Sequence, residues 1–187
     1  MENQDHLASK QAKASRCLFY LAQPPHGQIP EPFPHPLRRN SKVAQIDVGD
    51  KNITQRIAEA QGEVIFDKIS FKKIEKLESK KGSIKNIAIV AGIMGAKETS
   101  KLIPLCHNIP IDSVNIEITK NTKKNSIKIK SKVKTSSKTG VEMEALTAVT
   151  ISCLTIYDMC KYLNKSIKIT NIKLISKKGG KSGIFKA

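Results

Sequence analysis

Between residues 113 and 119 the apolar Val114, Ile116 and Ile118 alternate with Asn115, Glu117 and Thr119, and between 126 and 134 Ile127, Ile129 and Val133 alternate with Lys128, Lys130, Lys132 and Lys134. A period of two gives each segment one buried and one wet face, so the pattern predicts two strands joined by the polar turn KNTKKN. Elsewhere the period lengthens. FKKIEKLESKK places Phe71, Ile74 and Leu77 at helical spacing, and Gly82 is expected to stop that helix. Ser83 is then placed to cap a longer helix in which Ile84, Ile87, Ala88, Ala91, Met94 and Gly95 form a stripe towards Leu102, ended by Pro104. EMEALTAVTISCLTIYDMCKYL, opened by Thr139 and Gly140, predicts a long and mostly apolar helix. VIF at 64–66 predicts a short strand, IKITNIKLI the last strand, and KKGGKSG a loop after it. Strand, helices, hairpin, helix, strand predicts an α+β fold: an antiparallel sheet covered by helices on one face, in a split βαβ pattern.

The first 40 residues do not share this patterning. Pro24, Pro25, Pro30, Pro32, Pro34 and Pro36 crowd a stretch ending PPHGQIPEPFPHPLRR, which can hold neither a helix nor a central strand. Residues 1–40 are expected to be a disordered, proline-rich appendage and 41–187 the folded domain. CLFYLA is broken at once by polar residues and prolines, and Glu2, Asp5 and Glu31 are acidic, which makes the segment a poor secretory signal.

Charge changes the picture next. Lys and Arg number 33 against 16 Asp and Glu, a formal net charge of +17, which favours polyanionic partners: nucleic acid, phosphorylated small molecules or an anionic membrane. Only Arg16, Arg38, Arg39 and Arg56 carry the planar fork that reads guanine or clamps phosphate, Trp is absent, and three Tyr and five Phe leave little to stack on bases. A dedicated nucleic-acid reader is therefore disfavoured, although a basic α+β nucleic-acid-binding module remains the alternative. The apolar runs, such as IAIVAGIMGA, stop short of the roughly 20 residues a membrane span needs. Four cysteines without a CxxC, and His107 as the one histidine after position 35, predict neither a disulfide framework nor a structural zinc site. A soluble protein of a reducing, cytoplasmic compartment is expected.

Several motifs bear on chemistry. GGKSG lacks the earlier glycine and the following helix of a Walker A loop, since Ile175 stands where that glycine belongs. With Lys177, Lys178 and Lys181 it is either an anion site or a solvated turn. Cys106 and His107 are adjacent, so their side chains diverge, and Cys106 fits a small buried apolar residue better than a nucleophile. His107 has the range of a general base. On the long helix, Glu142, Glu144, Asp158 and Lys161 interrupt an apolar surface, and buried carboxylates there need partners or a function. Asp158 and Lys161 are spaced as an ion pair. Glu144 and Asp158 fall on nearly one face but about 21 Å apart at ~1.5 Å per residue. One small-molecule pocket can use both only if a second subunit brings its own copy of one end, which points to a site at a symmetric interface.

QIDVGDKNITQRIAEAQGEV, KGSIKNIAIVAGIMGAKETSKLIPLCH, KTGVEMEALTAVTISCLTIYDMCK and KKGGKSG, in that order and spacing over about residues 41–187, resemble the cyclic pyranopterin monophosphate synthase family, the molybdenum cofactor biosynthesis protein C family. The resemblance implies a ferredoxin-like subunit, a hexamer built as a trimer of dimers with sites at the dimer interface, and no redox cofactor in this step. It implies a lyase that rearranges 3',8-cyclo-7,8-dihydroguanosine triphosphate to cyclic pyranopterin monophosphate with release of diphosphate. By position, Leu105, Cys106, His107, Met143 and Glu144 match its substrate-binding elements and Asp158 its catalytic aspartate. Lys81, Lys161 and Lys177 match its functional lysines, Glu142 a further carboxylate, and Arg56 an arginine of an N-terminal loop. Ile89, Asn108, Lys178 and Ile184 depart from the pattern, where an arginine, a proline, a serine and an aspartate are usual.

Overall fold

The computed structural model describes residues 43–74, 76–180 and 183–187, and Ala44–Ala187 form one compact unit. The expectation for residues 1–40 lies outside the described residues, as do Lys181 and Ser182 of the glycine-rich loop.

The predicted hairpin is present as β4 (Ser113–Asn121) and β5 (Ser126–Ser137), with Val114 opposite Val133 and Ile118 opposite Ile129. Ile127, Ile129 and Val133 are completely buried, while Lys130 and Lys134 are exposed. Burial of such side chains contributes about 1.5–3 kcal/mol each. β5 pairs in turn with β1 (Thr54–Ile65), β1 with β6 (Lys168–Lys178), and β6 with a short β7 (Phe185–Lys186), so the sheet order is β4-β5-β1-β6-β7 with every ladder antiparallel. Two further two-residue strands, β2 (Glu78–Ser79) and β3 (Gly82–Ser83), form a separate small hairpin.

The helices are α1 (Lys68–Lys73), α2 (Ile84–Lys97), α3 (Thr99–Leu102) and α4 (Glu142–Cys160). α2 connects β1 and its hairpin to β4, and α4 connects β5 to β6; both pack on the same face of the sheet. β1 and β4 therefore run parallel with β5 between them, and β5 and β6 run parallel with β1 between them, which is the expected split βαβ arrangement. Ser83 caps α2 as predicted, its hydroxyl accepting from the amide of Asn86.

Several boundaries differ from the sequence expectation. The first strand is 12 residues long rather than confined to 64–66. Its inward positions before Val64 are Ala58, Ala60 and Gly62, which give no bulky alternation to read. The small residues are required there, because a Cβ on Gly62 would lie 2.6 Å from Val149 Cγ1 and 2.9 Å from Cys153 Sγ of α4. The helix expected over 71–81 ends at Lys73, well before Gly82, and Leu77 adopts a left-handed backbone (φ 53°) that turns the chain into the β2–β3 hairpin. α2 breaks at Glu98, so the approach to Pro104 is the one-turn α3. In α2 the buried residues are Ile84, Ala88, Gly92, Gly95 and Ala96, whereas Ile87 and Met94 of the expected stripe are 39% and 61% exposed. Lys177 and Lys178 belong to β6 rather than to a loop; Gly179 (φ 95°) and Gly180 (φ 83°) make the turn after it.

Among the described residues α4 alone is long and apolar enough to cross a membrane. It is spent on the core instead: Ala145, Ala148, Val149, Cys153, Ile156 and Cys160 have no exposed surface.

Candidate active site

The two ends of α4 carry two groups of candidate residues. At its N-terminal end Leu105, Cys106 and His107, on the loop after α3, face Glu142, Met143 and Glu144 across a cleft of about 380 Å³. A backbone segment from Ile46 to Lys51 forms another wall. His107 Nε2 lies 2.8 Å from the carbonyl oxygen of Ile46. A carbonyl only accepts, so Nε2 carries the proton, and in the neutral ring Nδ1 is the nitrogen left to accept one. The same segment is held from below by Lys138, whose Nζ donates to the carbonyl of Gly49 at 2.6 Å.

Glu144 is 4% exposed. Burial pushes its carboxyl above the ordinary glutamate value, against a hydrogen bond from its own amide and with the help of the Glu142 charge. Burial and then the Glu144 charge also push the Cys106 thiol up. Cys106 lines the wall of the cleft.

Glu142 joins this cleft to a second group. Lys177 Nζ is 2.9 Å from Glu142 Oε1. Beside them, Arg56 donates from Nε to the carbonyl of Ser137 at 3.0 Å and from Nη2 to that of Lys138 at 2.9 Å. Its Nη1 lies so close over Gly180 that any Cβ there would collide with the guanidinium, and Gly179 approaches the Gln55 carbonyl in the same manner. Arg56 thus packs between the end of β5 and the turn that follows Lys177, leaving no room for a side chain at Gly180.

At the other end of α4, Asp158 accepts from two ammonium groups at once: Lys161 Nζ at 2.8 Å on Oδ1 and Lys81 Nζ at 2.7 Å on Oδ2. The predicted Asp158–Lys161 pair is present, and Lys81 arrives from the turn between β2 and β3. The hydrogen bonds from Lys161 and then Lys81 lower the Asp158 carboxyl to about 2, and Asp158 raises the Lys161 ammonium above its ordinary range. Lys161 is therefore held cationic, and the Asp158 carboxylate ionised, throughout the physiological range. All three side chains are about half exposed, so an incoming polyanion can reach them.

Within one chain the residues thus form two clusters rather than one site, since 14 residues of helix separate Glu144 from Asp158, about 21 Å at ~1.5 Å per residue. Another cleft of about 250 Å³ on the open face of the sheet, between Glu59, Glu117, Lys128 and Lys130, contains none of the candidate residues. Sequence reasoning passed over Lys51 and Lys138, the first lining the cleft and the second bracing its wall. Lys51 lies between Asp50 and Asn52, and nothing in its spacing sets it apart from the other lysines.

The chain is thus an antiparallel α+β fold with a buried glutamate in an imidazole-bearing cleft and, at the other end of α4, an aspartate bracketed by two lysines. The sequence model of the MoaC family matches residues 45–180, so the chain belongs to that family. It is similar to the cyclic pyranopterin monophosphate synthase of Helicobacter pylori strain Shi470, 46% identical over 156 residues that cover 83% of this chain and 98% of that protein. It is likewise similar to the proteins of that name from Clostridium botulinum strain Alaska E43, 51% identical over 75% of this chain and 88% of that protein, and Dinoroseobacter shibae, 49% identical over 76% and 90%.

Proposed function

We propose that this chain is a cyclic pyranopterin monophosphate synthase, a lyase of molybdenum cofactor biosynthesis that converts 3',8-cyclo-7,8-dihydroguanosine triphosphate to the cyclic monophosphate and diphosphate. The single observation that carries the reading is Asp158 holding Lys81 and Lys161 together. Cyclisation forms a bond from a ribose hydroxyl oxygen to the α-phosphorus and breaks the bond to the bridging oxygen of the β-phosphate. The hydroxyl proton leaves, and negative charge accumulates on the departing diphosphate. Two ammonium groups gathered at one carboxylate meet that charge, an effect for which one well-aimed donor supplies about 10²–10³ in rate. Because Asp158 keeps Lys161 protonated, Lys161 acts as an acid or a phosphate ligand and not as a base. Lys177 serves the phosphates from the other cluster.

The cleft supplies the complementary half. Glu142 and Glu144 accept hydrogen bonds from the N–H edge of the guanine-derived ring, Leu105, Cys106 and Met143 shape its pocket, and His107 receives a proton at Nδ1. Arg56 holds the turn that places Lys177. Both halves come together when two subunits pair so that the Glu144 end of one meets the Asp158 end of the other, within a hexamer arranged as a trimer of dimers. Exposed Ile87, Val90 and Met94 on α2 and Leu154 on α4 support such pairing, since apolar surface of this kind gains from being covered. The test is direct: purified protein given the cyclised GTP nucleotide is expected to yield the pterin product, read as fluorescence after oxidation. Intact, assembled protein without turnover would overturn the reading.

A further inference from the structure

Asp158, Lys81 and Lys161 are each about half exposed, and ion pairs in that setting have little power to hold long side chains in place. The spacing of the two ammonium groups is set by the backbone that carries them. Lys161 stands on the turn that leaves α4, and Lys81 stands on the hairpin that α1 leads into. The two segments are joined at Asp67. Its Oδ1 caps α1 by accepting from the amides of Ile69 at 3.0 Å and Ser70 at 2.9 Å, and its Oδ2 accepts from Asn164 Nδ2 at 2.9 Å. Asn164, three residues after Lys161, uses its own Oδ1 to accept from the amide of Ser166 at 2.8 Å. The Tyr157 hydroxyl donates to the carbonyl of Lys165 at 3.2 Å, fastening the same turn to α4.

From α1 the chain passes through Ile74, 1% exposed, and a pair of 2.8 Å backbone bonds, Leu77 to Ile74 and Ile84 to Leu77, into the hairpin bearing Lys81. Hydrogen bonds from Ser70 and then Asn164 hold the Asp67 carboxyl well below the usual carboxylate range, so it acts as an acceptor only.

We infer that the Asp67–Asn164 hydrogen bond is a positioning latch that sets Lys161 and Lys81 at their working distance around Asp158, an inference that rests on the lyase reading of that cluster. Neither residue reaches the reacting atoms; both act through the lysines. The pair has a direction, because Asn164 has committed its oxygen to Ser166 and must present its amine to Asp67. Asp67→Asn keeps an oxygen for the α1 cap but sets amine against amine. Asn164→Asp keeps the Ser166 turn but sets carboxylate against carboxylate. The double exchange Asp67→Asn/Asn164→Asp restores one donor facing one acceptor and keeps both local turns.

Turnover of the cyclised GTP nucleotide by the full chain, expressed per folded and assembled protein, separates the outcomes. Each single variant is expected to lose at least about tenfold in kcat with KM changed by less than about twofold, since displacing a positioned group by ~1 Å costs up to 10²-fold. The double exchange is expected to recover kcat to within about threefold of wild type, a coupling that two independent surface changes do not produce. Single variants with wild-type kcat, or a double exchange no better than the weaker single, would overturn the latch. Asp158→Asn distinguishes this from failure of the underlying reading: near-normal turnover in that variant removes the cluster from catalysis, whereas its inactivity beside an unaffected Asn164→Asp removes the latch alone.

Discussion

Glu144 sits 4% exposed in the first turn of α4, where burial raises its carboxyl above the ordinary value of 4.5. An acid with a raised folded-state value binds more protons folded than unfolded, so stability is lost as pH rises from the unfolded value through the folded one and stays lost above it. Wherever that carboxylate ionises, it therefore costs the fold stability. Glu144→Gln is expected to raise Tm at pH 7 while abolishing turnover, and the gain should shrink towards zero below about pH 4.5, where the wild-type side chain is neutral in both states; melting curves across that range check it. Lys161 shows the opposite balance. Its pair with Asp158 is half exposed and contributes little to stability, so Lys161→Ala should leave Tm nearly unchanged while turnover falls by about 10²-fold or more, as for loss of a preorganised charge. Near-normal turnover there would remove Lys161 from the site. These residues were legible because they interrupt an apolar helix, where a charge needs a reason. The His107–Ile46 contact, Lys51 and the Asp67–Asn164 latch were not, because Lys51 is one of 33 basic residues and the two contacts join exposed positions 61 and 97 residues apart, which no spacing along the chain reveals.

At the scale of elements, side chains of small residues decide how closely the layers approach. α2 meets α4 through Gly92 and Gly95, where a Cβ on Gly92 would stand 2.5 Å from Ile116 Cδ1 and 2.8 Å from the backbone carbonyl of Ala148. Ser152 completes the crossing by donating to the Ala88 carbonyl at 2.9 Å. Gly92→Ala gains up to about 1 kcal/mol in helix propensity but loses about 1–3 kcal/mol to overpacking against a backbone atom that cannot rotate away. Net destabilisation, with Tm lower by several degrees and the Ser152–Ala88 bond lengthened, is the expected outcome; a stabilised variant would show the crossing to be slack. The same economy explains what the sequence pattern conveyed and what it hid. The β4–β5 hairpin, with large Ile and Val against Lys, could be read directly. β1 could not, because Ala58, Ala60 and Gly62 fill its inward face and read as turn or helix. The apolar stripe of α2 was legible as a stripe, but which half of it faces the core depends on where α4 approaches, a tertiary fact. Exposure of Ile87, Val90 and Met94 is the remainder of that stripe.

At the scale of the whole molecule, one chain holds the cleft and the lysine-bracketed aspartate at opposite ends of the same 19-residue helix. A rigid helix cannot fold these ends together, so on the proposed reading one substrate meets Glu144 and Asp158 where two chains pair about a two-fold axis. In such a pair each subunit would give its cleft to one site and its Asp158 cluster to the other. Glu144→Ala and Asp158→Ala should each inactivate a uniform assembly. Mixed under conditions that permit subunit exchange, the two variants should complement: in a mixed dimer one site receives both lesions and the other receives none. Random pairing makes about half the dimers mixed, each with one good site of two, so activity should return to about a quarter of wild type. Mixed dimers demonstrated by mass, together with no recovery of turnover, would place both residues in one chain's pocket or remove one of them from the chemistry, and the separation along α4 would then have to be bridged by the substrate itself.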